Sequence, residues 1–422
     1  MYKYFFVIFS IIAVSGCQQR QDTWQMDSCS QWRGEGRDGV YHETGLLKSW
    51  NEDGPELLWV FEGLGEGWSS VAVADQKIYV NGMLEPDNLH VFVLDLNGNL
   101  LNKKHLGKEI VDNRFPGVRS TITVNDGKLY VYNGLGNLWC LDQTSLDIIW
   151  TKDMTKDFDG RNVTWGLVES PLIVGDKIFM TPGGEKNNMV ALNKKTGALI
   201  WSSTGTGRAS SYCSPQFISG YAVPMIVTYL QGVRGEGRNS TNEIAAFNAN
   251  NGELIWTHPH TSGNTINPNT PLYFDGKIFV TTGYGGGALL LRLTDNGKAV
   301  EQIWHNTEMD NQMGGAVKVG DYVYGSGQNN NNWFCIDLKT GEAKYRIQEI
   351  GRSNTIFADG LLYVYSERGR MFLVKPNPNE PEIISSFEIA YGANQHWAHP
   401  VIDDGIMYVR RDDALMAYKI KD

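Results

Sequence analysis

A ten-residue frame that the chain writes twice limits its fold more than any other feature. LNKKTGALIW at 192–201 and FNANNGELIW at 247–256 lie 55 residues apart and share an apolar residue, Asn, three residues, Gly, two residues and Ile-Trp. Self-similarity at a period of tens of residues marks an array of one supersecondary unit. Each copy follows an alternating segment, MVALN at 189–193 and EIAAFN at 243–248, so strand, tight Asx/Gly turn and strand form a hairpin. A second hairpin lies upstream, as in PLIVGDKIFMT from Pro171, with its corner at Gly175-Asp176. The unit is therefore four strands, A to D.

The A–B corner recurs eight times: VAVADQKIYV (71), ITVNDGKLYV (122), LIVGDKIFM (172), FISGYAVPMIV (217), LYFDGKIFV (272), VKVGDYVYG (317), IFADGLLYV (356) and VIDDGIMYV (401). The C–D half recurs seven times, and the last A–B–C set ends in LMAYKI at 415–420 without a D strand. One unpaired D-like strand, ELLWVF from Glu56 to Phe61, stands at the other end. Zipping the first strand into the last sheet closes the array. The expectation is an all-β, eight-bladed β-propeller of four-stranded antiparallel blades over 56–422, closed by Glu56 to Phe61. The Trp that ends a D strand (Trp59, Trp150, Trp201, Trp256, Trp304) is expected to cover the seam to the neighbouring blade. The Gly before it supplies the positive φ of the C–D turn.

Residues 1–16 read as a lipoprotein signal peptide. Lys3 precedes the apolar run Phe5 to Val14, and Ser15-Gly16-Cys17 follows. The run is shorter than the about 20 residues that a permanent span needs. VSGC resembles a bacterial lipobox, which implies cleavage before Cys17 and lipidation of its thiol; plain secretion is the alternative. Residues 17–55 read as a tether and N-terminal arm. A net charge of −10 and the lack of any Lys/Arg cluster exclude a nucleic-acid partner. The expected body is a monomer that touches the membrane only through its anchor.

LD..TG..IW and its variants resemble the repeat of pyrroloquinoline-quinone-type propellers, a group holding both quinoprotein alcohol dehydrogenases and BamB-type outer-membrane assembly lipoproteins. QWRGEGRDGVY at 31–41 looks like the N-terminal lead-in of exported propellers of this group. The resemblance runs from about Trp32 to Asp422 and implies the fold. One fold hosts unrelated activities, so function has to be argued from a site.

The A–B and C–D turns are short and uniform, whereas B–C loops and D–A crossovers vary, as in PGGEKNN (182–188), LQGVRGEGRNS (230–240) and GQNNNN (327–332). B–C and D–A connections emerge on one face, so the irregular loops crowd one mouth of the ring, where binding concentrates. Residues just before each A strand should line it: Trp68, Arg119, Trp165, Glu169, Ser211, Tyr212, Asn267, Asn269, Gln312, Arg352, His396 and Trp397. They either plug the channel by satisfying one another or wait for a ligand. The first reading is a non-catalytic binding or scaffolding module with no cofactor, metal or catalytic residue. Its partner is an envelope protein complex or a polysaccharide, at an outer membrane and facing the periplasm.

The alternatives are a carbohydrate-binding propeller, with exposed aromatics beside amides, and a quinoprotein dehydrogenase. The dehydrogenase needs a quinone, a Ca²⁺ held by oxygens, and an Asp base. Glu169, Asn267 or Asn269, and Asp310 stand in the right chain order for those roles. The large insertions and the adjacent-cysteine disulfide of that group are absent from this sequence. Cys140 and Cys335 share one C-strand slot across the ring and read as buried small residues; a Cys29–Cys213 pair stays open. His258, His260, His396 and His399 have metal-like spacings, but blades four and eight lie opposite each other, so a plain structural role is favoured. GYGGG at 283–287 opens no helix and cannot cradle phosphate.

If the thiol of Cys17 carries the anchor, Cys17→Ser should move the protein from the membrane fraction to the soluble one without altering its melting. Sedimentation of the serine variant with membranes at high salt would place the anchor elsewhere.

Overall fold

The computed structural model describes Met1, residues 30–111, 114–234 and 240–422. The signal segment, Cys17 and Cys29 lie outside the described residues. Eight four-stranded antiparallel blades follow one another along the chain. Blade 1 is built of Ala72–Ala74, Lys77–Leu84, Asn88–Asp95 and Leu100–Lys108, and blade 3 of Leu172–Val174, Lys177–Met180, Met189–Asn193 and Leu199–Ser203. Blade 8 takes Val401–Asp403, Ile406–Arg411 and Ala414–Lys419 from the end of the chain and its outer strand, Glu56–Glu62, from the beginning. Glu56 faces Lys419 and Glu62 faces Ala414, antiparallel. The closure is the one expected from the unpaired ELLWVF strand.

There is no single central core. Buried apolar side chains gather in eight clusters, each between two neighbouring blades. Cys140 sits in the seam between blades 2 and 3 and Cys335 in that between blades 6 and 7, both fully buried among apolar neighbours. Cys213 is also a buried free thiol.

The repeated Ile-Trp now has a geometry. In the D strands the ladder slips by one residue just before the Trp, at Leu58, Ile149, Ile200, Ile255 and Ile303. Such a bulge re-aims the next side chain. The indole N–H of each Trp then donates to a carbonyl of the following blade: Trp59 to Leu96 (2.9 Å), Trp150 to Lys194 (3.2 Å), Trp201 to Ala249 (3.0 Å), Trp256 to Gly297 (3.2 Å) and Trp304 to Leu338 (2.9 Å). The turn glycine has a second duty that its φ does not reveal. A Cβ on Gly252 would lie 2.5 Å from the Trp201 ring, and one on Gly197 2.8 Å from Trp150.

The N-terminal arm fills the channel. Ser30 bridges Val124 of blade 2, and Val40–Tyr41 runs parallel to Ser353–Ala358 of blade 7. Arg33 and Arg37, 1% and 0% exposed, end on backbone carbonyls on different sides of the ring. Arg33 reaches Gly314 and Ala316, and Arg37 reaches Ser170 and Pro171. Two buried guanidiniums thus tie blades 3 and 6 to one segment, because a buried cation must find acceptors. The arm then leaves along blades 7 and 8, where Trp50 packs on Tyr363 and Phe387.

The seam contact can be isolated from the turn's backbone requirement. Gly252 (φ 78°) abuts Trp201, while Gly220 (φ 90°) has open space around its missing Cβ. Gly220→Ala should cost about 1 kcal/mol from backbone alone, and Gly252→Ala about 1–3 kcal/mol more from overpacking. Equal losses in denaturant unfolding would mean that the Trp–Gly contact contributes nothing.

Candidate functional site

The segments that lead into the A strands are extended, so their side chains alternate in direction. Four residues before the A strands of blades 1–6 and 8, and just before the longer one of blade 7, stands one inward-facing residue per blade. They are Trp68, Arg119, Val168, Tyr212, Pro268, Met313, Arg352 and Trp397, and all eight line one cavity of about 570 Å³ at the mouth. Trp32 of the arm forms part of its lining, with its Nε1 donating to Thr270 Oγ1 (3.0 Å). Phe115, Trp165, Tyr284, Gln312, Gln328, Glu367 and Gln395 complete the walls from B–C loops and crossovers.

Seven of the twelve residues singled out from sequence for the mouth line this cavity: Trp68, Arg119, Trp165, Tyr212, Gln312, Arg352 and Trp397. Glu169, Asn267, Asn269 and His396 do not. Their neighbours Val168, Ser170, Ile266, Pro268, Gln395 and Trp397 face inward, so alternation turns these four away. Ser211, beside Tyr212, is likewise turned away: its hydroxyl accepts from Asn267 Nδ2 (2.7 Å). Glu169 accepts from the Thr181 N–H (2.6 Å) inside blade 3. Asn269 Nδ2 donates to Thr281 O (2.7 Å) and to Asn311 O of the next blade (2.6 Å). Asn267 Oδ1 accepts from Thr282 Oγ1. His396 is held by the Tyr365 hydroxyl (2.6 Å). Asp310 is pinned by the backbone N–H groups of Gly285, Gln328 and Asn329, fixing two B–C loops. These residues fasten the ring. Phe115, Tyr284, Gln328 and Glu367 escaped the sequence reading because they come from loops whose course the repeat does not set.

The aromatic side of the mouth is a continuous belt. Ring centroids lie 5.1 Å apart for Trp68 and Trp397, 5.1 Å for Trp397 and Phe115, and 5.4 Å for Phe115 and Trp165. The planes are tilted by 43°, 46° and 64°, so the belt is concave. Arg119 stacks over Trp68 at 5.0 Å and holds the carbonyls of Gly117 and Phe115, which fixes the crossover that carries the phenyl ring. Adjoining the belt at Trp397 is a polar sector. Arg352 is ion-paired with Glu367, whose other oxygen accepts the Trp397 indole N–H (2.8 Å). Gln312 Nε2 donates to the Tyr284 hydroxyl (2.8 Å). Of the two readings open for the mouth residues, Arg352 follows the first and is satisfied by a neighbour, whereas the indole N–H of Trp68 is buried without a protein partner.

Two acids sit beneath this floor. Glu109, 3% exposed, accepts the N–H groups of Ile110 and Gly134 (both 2.7 Å). Burial pushes its carboxyl up to about 7, and burial does the same to Glu169, also to about 7. One oxygen of each has no partner, and near Glu169 the Tyr132 hydroxyl and Thr181 Oγ1 are also unpartnered. Burial lowers His260 to about 3, His396 to about 4 and His399 to about 3, so all three are neutral. Among the described residues, no three His, Cys, Asp or Glu side chains are grouped to hold a metal, and no helix is long and apolar enough to cross a membrane.

Comparison with known proteins places these features. The PQQ_2 family model, described as outer membrane protein assembly factor BamB, matches residues 90–347. Quinoprotein alcohol dehydrogenase PedH of Pseudomonas putida is 28% identical over 173 residues, 40% of this chain and 27% of that enzyme. The chain thus spans about a quarter of the length of that relative. The crystal structure of BamB from Moraxella catarrhalis superposes with a TM-score of 0.61 at 12% identity, covering 86% of this chain and 99% of that one. Quinohemoprotein alcohol dehydrogenase ADHIIG from Pseudomonas putida HK5 does so with 0.63 at 13% identity, covering 93% and 80%. At such identities the structures show the fold. The expectation of a mouth without any cofactor is corrected by these matches: the sequence relatives are quinoproteins, so a quinone belongs among the ligands for which this mouth must be tested.

The buried acids predict a pH dependence. Their folded values near 7 exceed the free value of 4.5, so the folded state binds more protons between these limits. Their stabilising contribution is whole below about pH 4.5 and is lost as pH rises through 7, roughly 3 kcal/mol each. Glu109→Gln with Glu169→Gln should raise the melting temperature at pH 8 far more than at pH 5. An equal shift at both pH values would show that these carboxyls are not buried as described.

Proposed function

The chain belongs to the PQQ_2 family, outer membrane protein assembly factor BamB, and from that membership we propose that it is a cell-envelope binding module, anchored by a lipid on Cys17, that captures its partner in the mouth of the ring. One observation carries the reading. Eight inward side chains, one from each blade, enclose a single cavity, while their chain neighbours are committed to holding the blades together. A rigid ring with variable loops at one mouth is the usual arrangement for binding. That this family is one of outer membrane protein assembly factors supports an envelope setting. Residues 1–16 as signal and 17–29 as tether belong to the same proposal.

The quinoprotein relatives raise the dehydrogenase alternative. A bound quinone would supply a two-electron acceptor, and Trp68, Trp165 or Trp397 offers it a face. The other parts do not fit. Glu169, Asn267 and Asp310, which the dehydrogenase template would use for metal and base, are engaged inside the blades and loops. Arg352 is neutralised by Glu367. These observations support capture without turnover.

Capture of envelope proteins or glycans from membrane extracts should be lost in Trp397→Ala and weakened in Arg352→Ala. Each should melt close to the parent, since a half-exposed ion pair contributes about 0–1 kcal/mol. Dye reduction with alcohols, quinone and Ca²⁺ is the opposing assay. Turnover that disappears in Glu169→Gln or Asp310→Asn would overturn the non-catalytic reading.

A further inference from the structure

We propose that the ligand taken by the mouth is a saccharide, bound with the C–H face of a sugar ring against the aromatic belt and its hydroxyls toward the polar sector. The inference rests on the mouth being a capture site and adds the chemical class of what is captured.

The argument is the two-sidedness of the cavity. Trp68, Trp397, Phe115 and Trp165 come from the crossovers leading into blades 1, 8, 2 and 3 and make one wall. Gln312, Gln328, Arg352, Glu367 and Gln395 come from the loops and crossovers of blades 6 to 8 and form a polar sector that adjoins Trp397, next to Ile266, Pro268, Tyr284 and Met313. A ligand that fills the cavity must show an apolar face to the belt and many hydrogen-bonding groups to the sector beside it. A pyranose has that form, with axial C–H groups on its face and hydroxyls around its edge.

The opposing ligand is a planar quinone. Neighbouring rings of the belt are inclined to one another by 43° to 64°, so no two touching rings of the belt make a flat face. A concave aromatic wall instead follows a puckered ring or a turn of glycan. The cations that would recognise carboxylates are engaged: Arg352 by Glu367, and Arg119 by two carbonyls of its own crossover. A paired Arg and Glu still offer a donor and an acceptor to vicinal hydroxyls, and Gln side chains offer one of each. Planar amides, an ion pair and tilted indoles together offer a polyol both an apolar face and donors and acceptors for its hydroxyls.

Intrinsic tryptophan fluorescence of the full chain provides the readout, because three of the four belt rings are indoles. The probes are maltotriose, cellotriose and chitotriose, with pyrroloquinoline quinone plus Ca²⁺ as the opposing ligand. At least one trisaccharide should shift the emission saturably. Trp397→Ala and Trp165→Ala should weaken that binding at least about tenfold with little change in melting temperature. Glu367→Gln, which keeps an acceptor for the Trp397 N–H but removes the ion pair, should weaken it less. Substituting Arg292, which pairs with Glu301 on the outer surface, should leave affinity unchanged. Binding of the quinone with no response to any trisaccharide would overturn the saccharide assignment. So would loss of sugar binding only in variants that also lose their fold. If membrane capture depends on Trp397 while every sugar is silent, capture stands and the sugar falls.

Discussion

Five of the eight seams depend on the contact between a D-strand tryptophan and the C–D turn of the next blade. A four-stranded blade cannot bury its faces alone, and its apolar side chains find shelter only in the seams. Each indole both fills the outer end of a seam and fixes its register by donating to one carbonyl across it. The bulge before the Trp aims the ring, and the glycine of the neighbouring turn leaves it room. Each partner of the contact is written into the same decapeptide, one half serving its own blade and the other serving the blade before. Copying the sentence therefore copies the joint.

Closer to the axis, another division of labour organises the mouth. The extended lead-in to each A strand points one residue at the channel and the next into the ring. Residues turned into the ring clasp neighbouring blades, as where Ser120 Oγ donates to Glu169 O (2.8 Å) and Asn269 Nδ2 to Asn311 O (2.6 Å). Inward residues are thereby freed from structural duty and can differ from blade to blade. This separation lets one rigid ring carry tryptophans in one sector and amides with an ion pair in the next. The channel below is stopped by the arm, so the mouth is a cup with Trp32 in its lining, not a pore.

The sequence by itself determined the fold, because everything that makes a blade is local: a Gly or Asp with positive φ at each A–B corner, alternating strands, and in five blades a Trp on the D strand. The unpaired Glu56 strand even announced how the ring closes. It also located the mouth, since loop variability is visible in one dimension. The facing of each residue was not visible. Glu169, Asn267 and Asn269 looked like site residues by type, yet a shift of one position in an extended segment reverses direction, and only the register of the A strand within the ring fixes it. Trp32, Phe115 and Glu367 reach the cavity from the arm and from loops far away in sequence, and nothing periodic foretells where such segments go. The pairing of Arg352 with Glu367 was likewise decided in three dimensions, since whether a charge is free or neutralised depends on which loop folds beside it.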